Sequence, residues 1–210
     1  MKIAIVIYDG FDELDAIGPY EVLRNAARGG ADVTVELVTR EPADRVTASH
    51  DLVIVPHAVL DASFDLVIVP GGGWGERAEA GAWSEAQRGD LPASIRRARE
   101  GGAALASVCT GAMLLAAAGV TAGRLATTHH SALEDLASRG AEVVDQRVVD
   151  DGDLVTAAGV TAGIDLALWL VEREWGAGLA AGIAREMEHE RVGAVHVTAA
   201  RDGSSGSPVN

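Results

Sequence analysis

Cysteine is almost absent from this sequence: Cys109 is the only one in 210 residues. An intramolecular disulfide is therefore excluded, and a cysteine-based zinc site is disfavoured. Positive charge is also scarce. Seventeen Lys and Arg face 31 Asp and Glu, for a formal net charge of −14. Nucleic acid is bound through clustered cations, and an anionic membrane surface attracts the same clusters, so neither is an expected partner. Lys2 is the single lysine, a bias that says nothing about chemistry. No apolar run approaches the ~18 residues that span a bilayer. Met1–Tyr8 is too short for a secretory signal. The expectation is a cytoplasmic protein whose one thiol stays reduced.

What is present fits one domain. Hydrophobic residues make up 48% of the chain, enough for a sizeable core. Neither an internal repeat nor a linker interrupts it. The domain is expected over 1–195, and the Ser/Gly-rich stretch within 196–210 is expected to be a disordered tail.

Apolar runs alternate with helical patterns. Ile3–Ile7, Val33–Val38, Leu52–Val55, Asp65–Val69 and Ala103–Val108 read as strands, with Leu52–Val55 at an edge because Pro56 ends it. Tyr20–Ala27 reads as a helix led in by Gly18–Pro19, since Pro suits a first turn. Leu91–Glu100, Thr110–Ala118, Leu133–Ser138, Ala162–Glu174 and Leu179–Glu190 follow as helices. Val143–Val149 and Leu154–Ala157 flank Asp150-Asp151-Gly152-Asp153, a hairpin signal. The fold class is α/β, with a mainly parallel sheet covered on both faces. Ligands bind such sheets beyond the carboxyl ends of the strands. Three features fall there: the loop Tyr8–Gly18, the glycines after Val69, and Cys109 after Val108.

Ser107-Val108-Cys109-Thr110-Gly111 has the small-x-nucleophile-x-small spacing of a nucleophile elbow. The turn is tight, so residues two away from the nucleophile must be small. A helix N-terminus beside the sulfur is expected to favour the thiolate. Most free cysteines are inert core residues, but this context points to a nucleophile. Attack by a thiolate builds negative charge, and the backbone of Gly72 and Gly73 with Thr110 can offer N–H donors to it. Gly73–Ala78 also fits a loose G-x-G-x-x-A dinucleotide pattern, but it follows a later strand rather than opening the first βαβ unit.

Asp12, Glu13 and Asp15 lie in the first loop, and by spacing alone any of them can be the proton-transfer partner or a helix cap. Thr128-His129-His130 offers a His as base for Cys109, or as a structural residue. Glu186-x-x-His189 is a single copy of a motif that di-metal bundles need twice, so no metal is expected there.

Taken together, Pro70-Gly71-Gly72-Gly73, the Ser107–Ala112 elbow and Ala126-Thr127-Thr128-His129 resemble the ThiJ/PfpI superfamily, which is similar in architecture to class I glutamine amidotransferase domains. The resemblance runs from about Lys2 to Glu190. In the peptidase and deglycase branches a His usually follows the Cys, and the acid is Glu. Here Thr110 follows, and the matching acid is Asp15. Phe11–Leu23, Cys109-Thr110-Gly111 and Asp151–Asp165 look like the isocyanide hydratase branch. They also resemble the amidase-like domain of AraC-type regulators, which carry a helix-turn-helix module that is not expected here.

The resemblance implies a flavodoxin-like three-layer sandwich, commonly a homodimer, with no metal and no organic cofactor. It implies catalytic roles for Cys109 and Asp15. Thr110 would lie against the sulfur, and His129, Gly159 and Thr161 would neighbour it. The expected activity is hydration of an isocyanide, a small-molecule substrate, to an N-formamide. The rivals are a hydrolase, deglycase or amidase on small carbonyl or acyl compounds, and a non-catalytic thiol sensor of oxidative stress.

Overall fold

The β-branched run at the N-terminus pairs on both sides, as a strand buried on both faces must. A computed structural model describes residues 1–198. The strands are β1 (Lys2–Val6), β2 (Thr34–Thr39), β3 (Val46–Thr47), β4 (Val53–Ile54), β5 (Ala58–Val59), β6 (Leu66–Val69), β7 (Ala104–Ser107), β8 (Leu125–Ala126), β9 (Glu142–Val143), β10 (Val148–Asp150), β11 (Leu154–Ala157) and β12 (His196–Val197). The helices are α1 (Glu13–Arg28), α2 (Ala82–Arg88), α3 (Asp90–Glu100), α4 (Gly111–Ala117), α5 (Leu133–Ser138), α6 (Ala162–Trp175) and α7 (Ala177–Glu186).

The main sheet has the order β12-β10-β11-β7-β6-β1-β2-β5. It is parallel throughout except for the β10–β11 hairpin. α1, α6 and α7 pack together, and α2 to α5 form a second group. The result is the expected flavodoxin-like sandwich. β1, β6 and β7 run side by side at its centre, so the loops after them meet at one carboxyl edge.

Several boundaries differ from the sequence reading, each for a local reason. α1 begins at Glu13, seven residues before Tyr20. Asp12 caps it by accepting the Leu14 amide at 3.2 Å, and Pro19 lies inside the helix. Pro19 removes the N–H that the Asp15 carbonyl would otherwise receive. The loop expected over Tyr8–Gly18 is therefore largely helix, and Asp15 stands in its first turn. Leu52–Val55 is not an edge strand of the main sheet. Its core, β4, pairs with β3 in a separate antiparallel ribbon. The edge forms after Pro56, where the His57 amide donates to Leu37 O at 2.8 Å and His57 Nδ1 accepts from the Leu37 amide at 2.9 Å. α2 was not read at all. The Val143–Val149 run splits between β9 and β10. α7 stops at Glu186, and His189 lies beyond it with Nε2 3.0 Å from Asp165 Oδ1. β12 pairs with β10 two residues past the boundary set at 195. The rest of the expected tail, from 199 on, lies outside the described residues. Among the described residues no helix is long and apolar enough to cross a membrane.

Candidate active site

Cys109 leaves β7 with φ = +55°, a left-handed conformation that non-glycine residues rarely adopt. Its amide donates to Ala158 O at 2.7 Å and also approaches Ala157 O at 3.2 Å. Its carbonyl accepts the Thr128 hydroxyl at 2.8 Å. The turn also explains Gly111: a Cβ there would stand 2.0 Å from Val69 O, so no other residue fits. This is the sharp strand-to-helix turn that the elbow pattern predicts.

Asp15 reaches the same place from α1. It is fully buried. Its Oδ2 accepts the Gly71 amide at 2.9 Å, and its Oδ1 has no hydrogen-bond partner. Burial pushes its pKa up to about 8, and the nearby Asp12 charge adds to that. The Gly71 amide and the Cys109 thiol pull the other way. The Cys109 pKa also rises well above the ordinary thiol value, first through burial and then through Asp15. The helix-end stabilisation expected for the thiolate is therefore outweighed. Thr110 opposes the rise with both its amide and its hydroxyl, which hydrogen-bond to the sulfur.

The turn after β6 ties these groups together. The Gly72 amide donates to Thr110 Oγ1 at 3.0 Å. Thr110 Oγ1 thus accepts from the turn, which leaves its own proton free to donate elsewhere. The Gly71 carbonyl accepts the Asp12 amide at 2.8 Å, and the Gly73 carbonyl accepts the Ala78 amide at 3.0 Å. Tyr8, at the end of β1, donates its buried hydroxyl to Pro70 O at 2.7 Å. Burial, then Asp15, then Cys109 raise its pKa further, so it stays a neutral donor. Sequence reasoning missed Tyr8, whose only signal was its place at the carboxyl edge of β1.

Of the remaining expected neighbours, His129 and Gly159 pack on each other, and Thr161 is engaged by Arg147. The His129 ring is half-buried and packs on Gly159. Thr161 Oγ1 accepts from Arg147 Nη2 at 3.0 Å, and Arg147 also binds buried Asp165. Trp74 is buried and donates to Asp135 Oδ2 at 2.7 Å. The Gly71 and Gly72 amides thus tie Asp15 and Thr110, the residue next in the chain to Cys109, to one turn, while the His129 ring packs on Gly159. A thiol and a carboxyl that both resist ionisation and shift each other's proton affinity can together add across an electrophilic carbon and carry a proton between steps.

Residues 1–173 match the family model described as the DJ-1/PfpI family. The chain is 35% identical over 191 residues to isonitrile hydratase of Pseudomonas putida, covering 90% of this chain and 78% of that protein. It is 31% identical over 172 residues to protein dj-1beta of Drosophila melanogaster, covering 80% and 86%. The crystal structure of a ThiJ/PfpI family protein from Pseudomonas syringae superposes with a TM-score of 0.81 at 28% identity, covering 91% of this chain and 76% of that one.

Proposed function

The chain belongs to the DJ-1/PfpI family, and from that premise we propose that it is a cysteine-dependent hydratase converting an isocyanide, R–N≡C, to an N-formamide. The observation that carries this reading is Asp15: buried, without a cation among the described residues, its Oδ1 unpartnered there, and its proton affinity coupled to that of the only thiol in the chain. Isonitrile and isocyanide name the same group, so the Pseudomonas putida relative supports the same substrate class.

In the reactive form the Cys109–Asp15 pair holds one proton. The sulfur bonds to the terminal carbon as its proton passes through Asp15 to that carbon, giving a thioimidate. Asp15, now ionised, takes a proton from water as the water oxygen bonds to the same carbon. It returns that proton to the nitrogen. The C–S bond then breaks, the hydroxyl proton goes back to the pair, and R–NH–CHO leaves. Thr110 supports the sulfur whenever it carries charge. The net change is addition of one water. The protein is further proposed to act in the cytoplasm and as a homodimer.

The test is to incubate the purified protein with a simple alkyl isocyanide and, in parallel, with methylglyoxal and a small amide. Formamide accumulates in the first case only, and Cys109→Ala abolishes it. Turnover of the isocyanide by that variant at the wild-type rate, or turnover of the other substrates alone, overturns the reading.

A further inference from the structure

A histidine at the edge of a cysteine site invites the role of general base, yet His129 is oriented against it. The ring sits at the N-terminus of a short 3-10 turn, His130–Ala132, and caps it. The Ser131 amide points at Nδ1 at 3.3 Å, and Ser131 Oγ lies 2.8 Å from the same nitrogen. A backbone amide can only donate, so Nδ1 is the acceptor, and the Ser131 hydroxyl must donate to it as well. The neutral ring therefore carries its proton on Nε2.

The opposite edge of the ring lies against Gly159. A Cβ on Gly159 would stand 3.2 Å from His129 Cδ2 and 3.9 Å from Nε2. Gly159 follows Ala158, whose carbonyl takes the Cys109 amide. Thr128, the residue before His129, holds the Cys109 carbonyl. His129 and Gly159 thus each follow a residue that holds the Cys109 backbone. Among the described residues Nε2 has no hydrogen-bond partner.

We propose that His129 serves the site as a fixed neutral hydrogen-bond donor through Nε2–H, directed at the substrate nitrogen, and that it cannot act as a general base there. The inference rests on the hydratase reading for its target atom. In the thioimidate that nitrogen has a lone pair, and charge moves onto it as water attacks the carbon. A donor already in place stabilises that charge without transferring its proton. The only basic lone pair of the neutral ring lies on Nδ1, where Ser131 occupies it.

The surroundings favour the neutral ring. Burial comes first and the tilted His130 ring second, its centroid 4.0 Å away, and both lower the His129 pKa. Glu76 and Asp12 oppose them. Protonation would also set a new N–H against the Ser131 amide.

Two substitutions separate the ring's two edges. His129→Asn keeps a capping oxygen near the Nδ1 position and loses the Nε2 donor. His129→Gln keeps an amide donor near the Nε2 position. The expected result is a fall in kcat of about 10- to 100-fold for Asn with KM little changed, and recovery of most of that loss by Gln. The pH profile of kcat/KM should keep the same ionisations in His129→Gln as in the wild type. Equal losses in the two variants overturn the inference. So does full activity in His129→Asn, or an acid limb that disappears in His129→Gln. Nitrogen-15 NMR of the wild-type ring near pH 7 needs no substrate. A neutral Nε2–H tautomer supports the inference, and an Nδ1–H tautomer or a doubly protonated ring overturns it. A protein that makes no formamide but shows the Nε2–H ring fails the hydratase reading and not this one.

Discussion

Buried aspartates occur in two settings in this molecule. Around the β10–β11 hairpin and α6, each has a cation. Asp150 binds Arg173 Nη1 at 3.1 Å and the Trp169 indole at 2.7 Å. Asp151 binds Arg124, and Asp165 binds Arg147 and His189. On α1 at the carboxyl edge of the sheet, Asp15 is as deeply buried as any of them, and among the described residues it has no cation, only the Gly71 amide and the influence of the Cys109 thiol. Burying a carboxylate is expensive unless it is paired, and this fold pairs it wherever only structure is at stake. The hairpin acids thus hold strands and helices together. The unpaired one keeps a pKa near 8 beside a thiol, where it can exchange a proton at neutral pH.

The largest expected effect comes from removing that exchange. Asp15→Asn should lower kcat/KM by about 100- to 1,000-fold, because the sulfur loses its proton partner and the thioimidate loses its base. The wild-type profile should show activity rising with pH through about 8, since the pair must lose one of its two protons to react. Steady-state rates from pH 5 to 10 check both points. A variant that keeps the same rise shows that the ionisation belongs elsewhere.

Second comes stability, with the opposite sign. In the unfolded chain Asp15 ionises near its ordinary 3.8, and in the folded chain near 8. Between those values folding binds a proton, so stability falls as pH rises from about 4 to about 8. Asp15→Asn removes that loss and should gain roughly 1–3 kcal/mol at pH 7.5, while gaining little at pH 4. Urea melts of both proteins at the two pH values measure it. Equal gains at both would mean that the carboxyl's cost is not one of ionisation.

The paired setting should respond in reverse. Arg173→Met leaves Asp150 with Trp169 and the Gly152 amide. Because the guanidinium is about a quarter exposed, 28%, the expected loss is only about 1–2 kcal/mol, or roughly 2–6 °C in Tm. kcat/KM should stay within about twofold. Thermal melts and rates on the same preparations test whether the two classes of acid are as separate as their partners suggest.

How much of this was legible beforehand follows from how local each feature is. The elbow could be read because its constraint spans five residues: Gly111 must be Gly for a backbone oxygen on the adjacent strand. The alternation of strands and helices was legible for the same reason. From spacing alone the identity of the acid was not legible, and it was the resemblance that singled out Asp15. Asp12, Glu13 and Asp15 share one stretch, and only folding caps the helix with Asp12 and fastens Glu13 to His50 at 2.6 Å, leaving Asp15 buried. The start of α1 was misplaced because Pro19 is a good first-turn residue, yet the Asp12 cap outweighed it. The direction of the Cys109 shift was also misjudged, since burial acts through residues far away in sequence. Tyr8 escaped notice because its partner, Pro70, is 62 residues distant.

The smallest expected effect lies on the sulfur side of the pair and decides whether Asp15 acts alone. Thr110 Oγ1 is fixed by the Gly72 amide at 3.0 Å, and the Thr110 hydroxyl opposes the rise in the Cys109 pKa. Thr110→Val keeps the shape and the amide but removes the hydroxyl. The sulfur then loses one of two donors that oppose its raised pKa, and the Gly72 amide loses its acceptor. One hydrogen bond to a charged atom is involved, so kcat/KM should fall only about 3- to 10-fold. The thiol should ionise at higher pH, which the pH dependence of iodoacetamide alkylation reads directly. A Val variant whose alkylation profile is unchanged would assign the sulfur's ionisation wholly to burial and Asp15. A shift upward together with the modest rate loss would make the thiol and carboxyl a pair tuned from both ends.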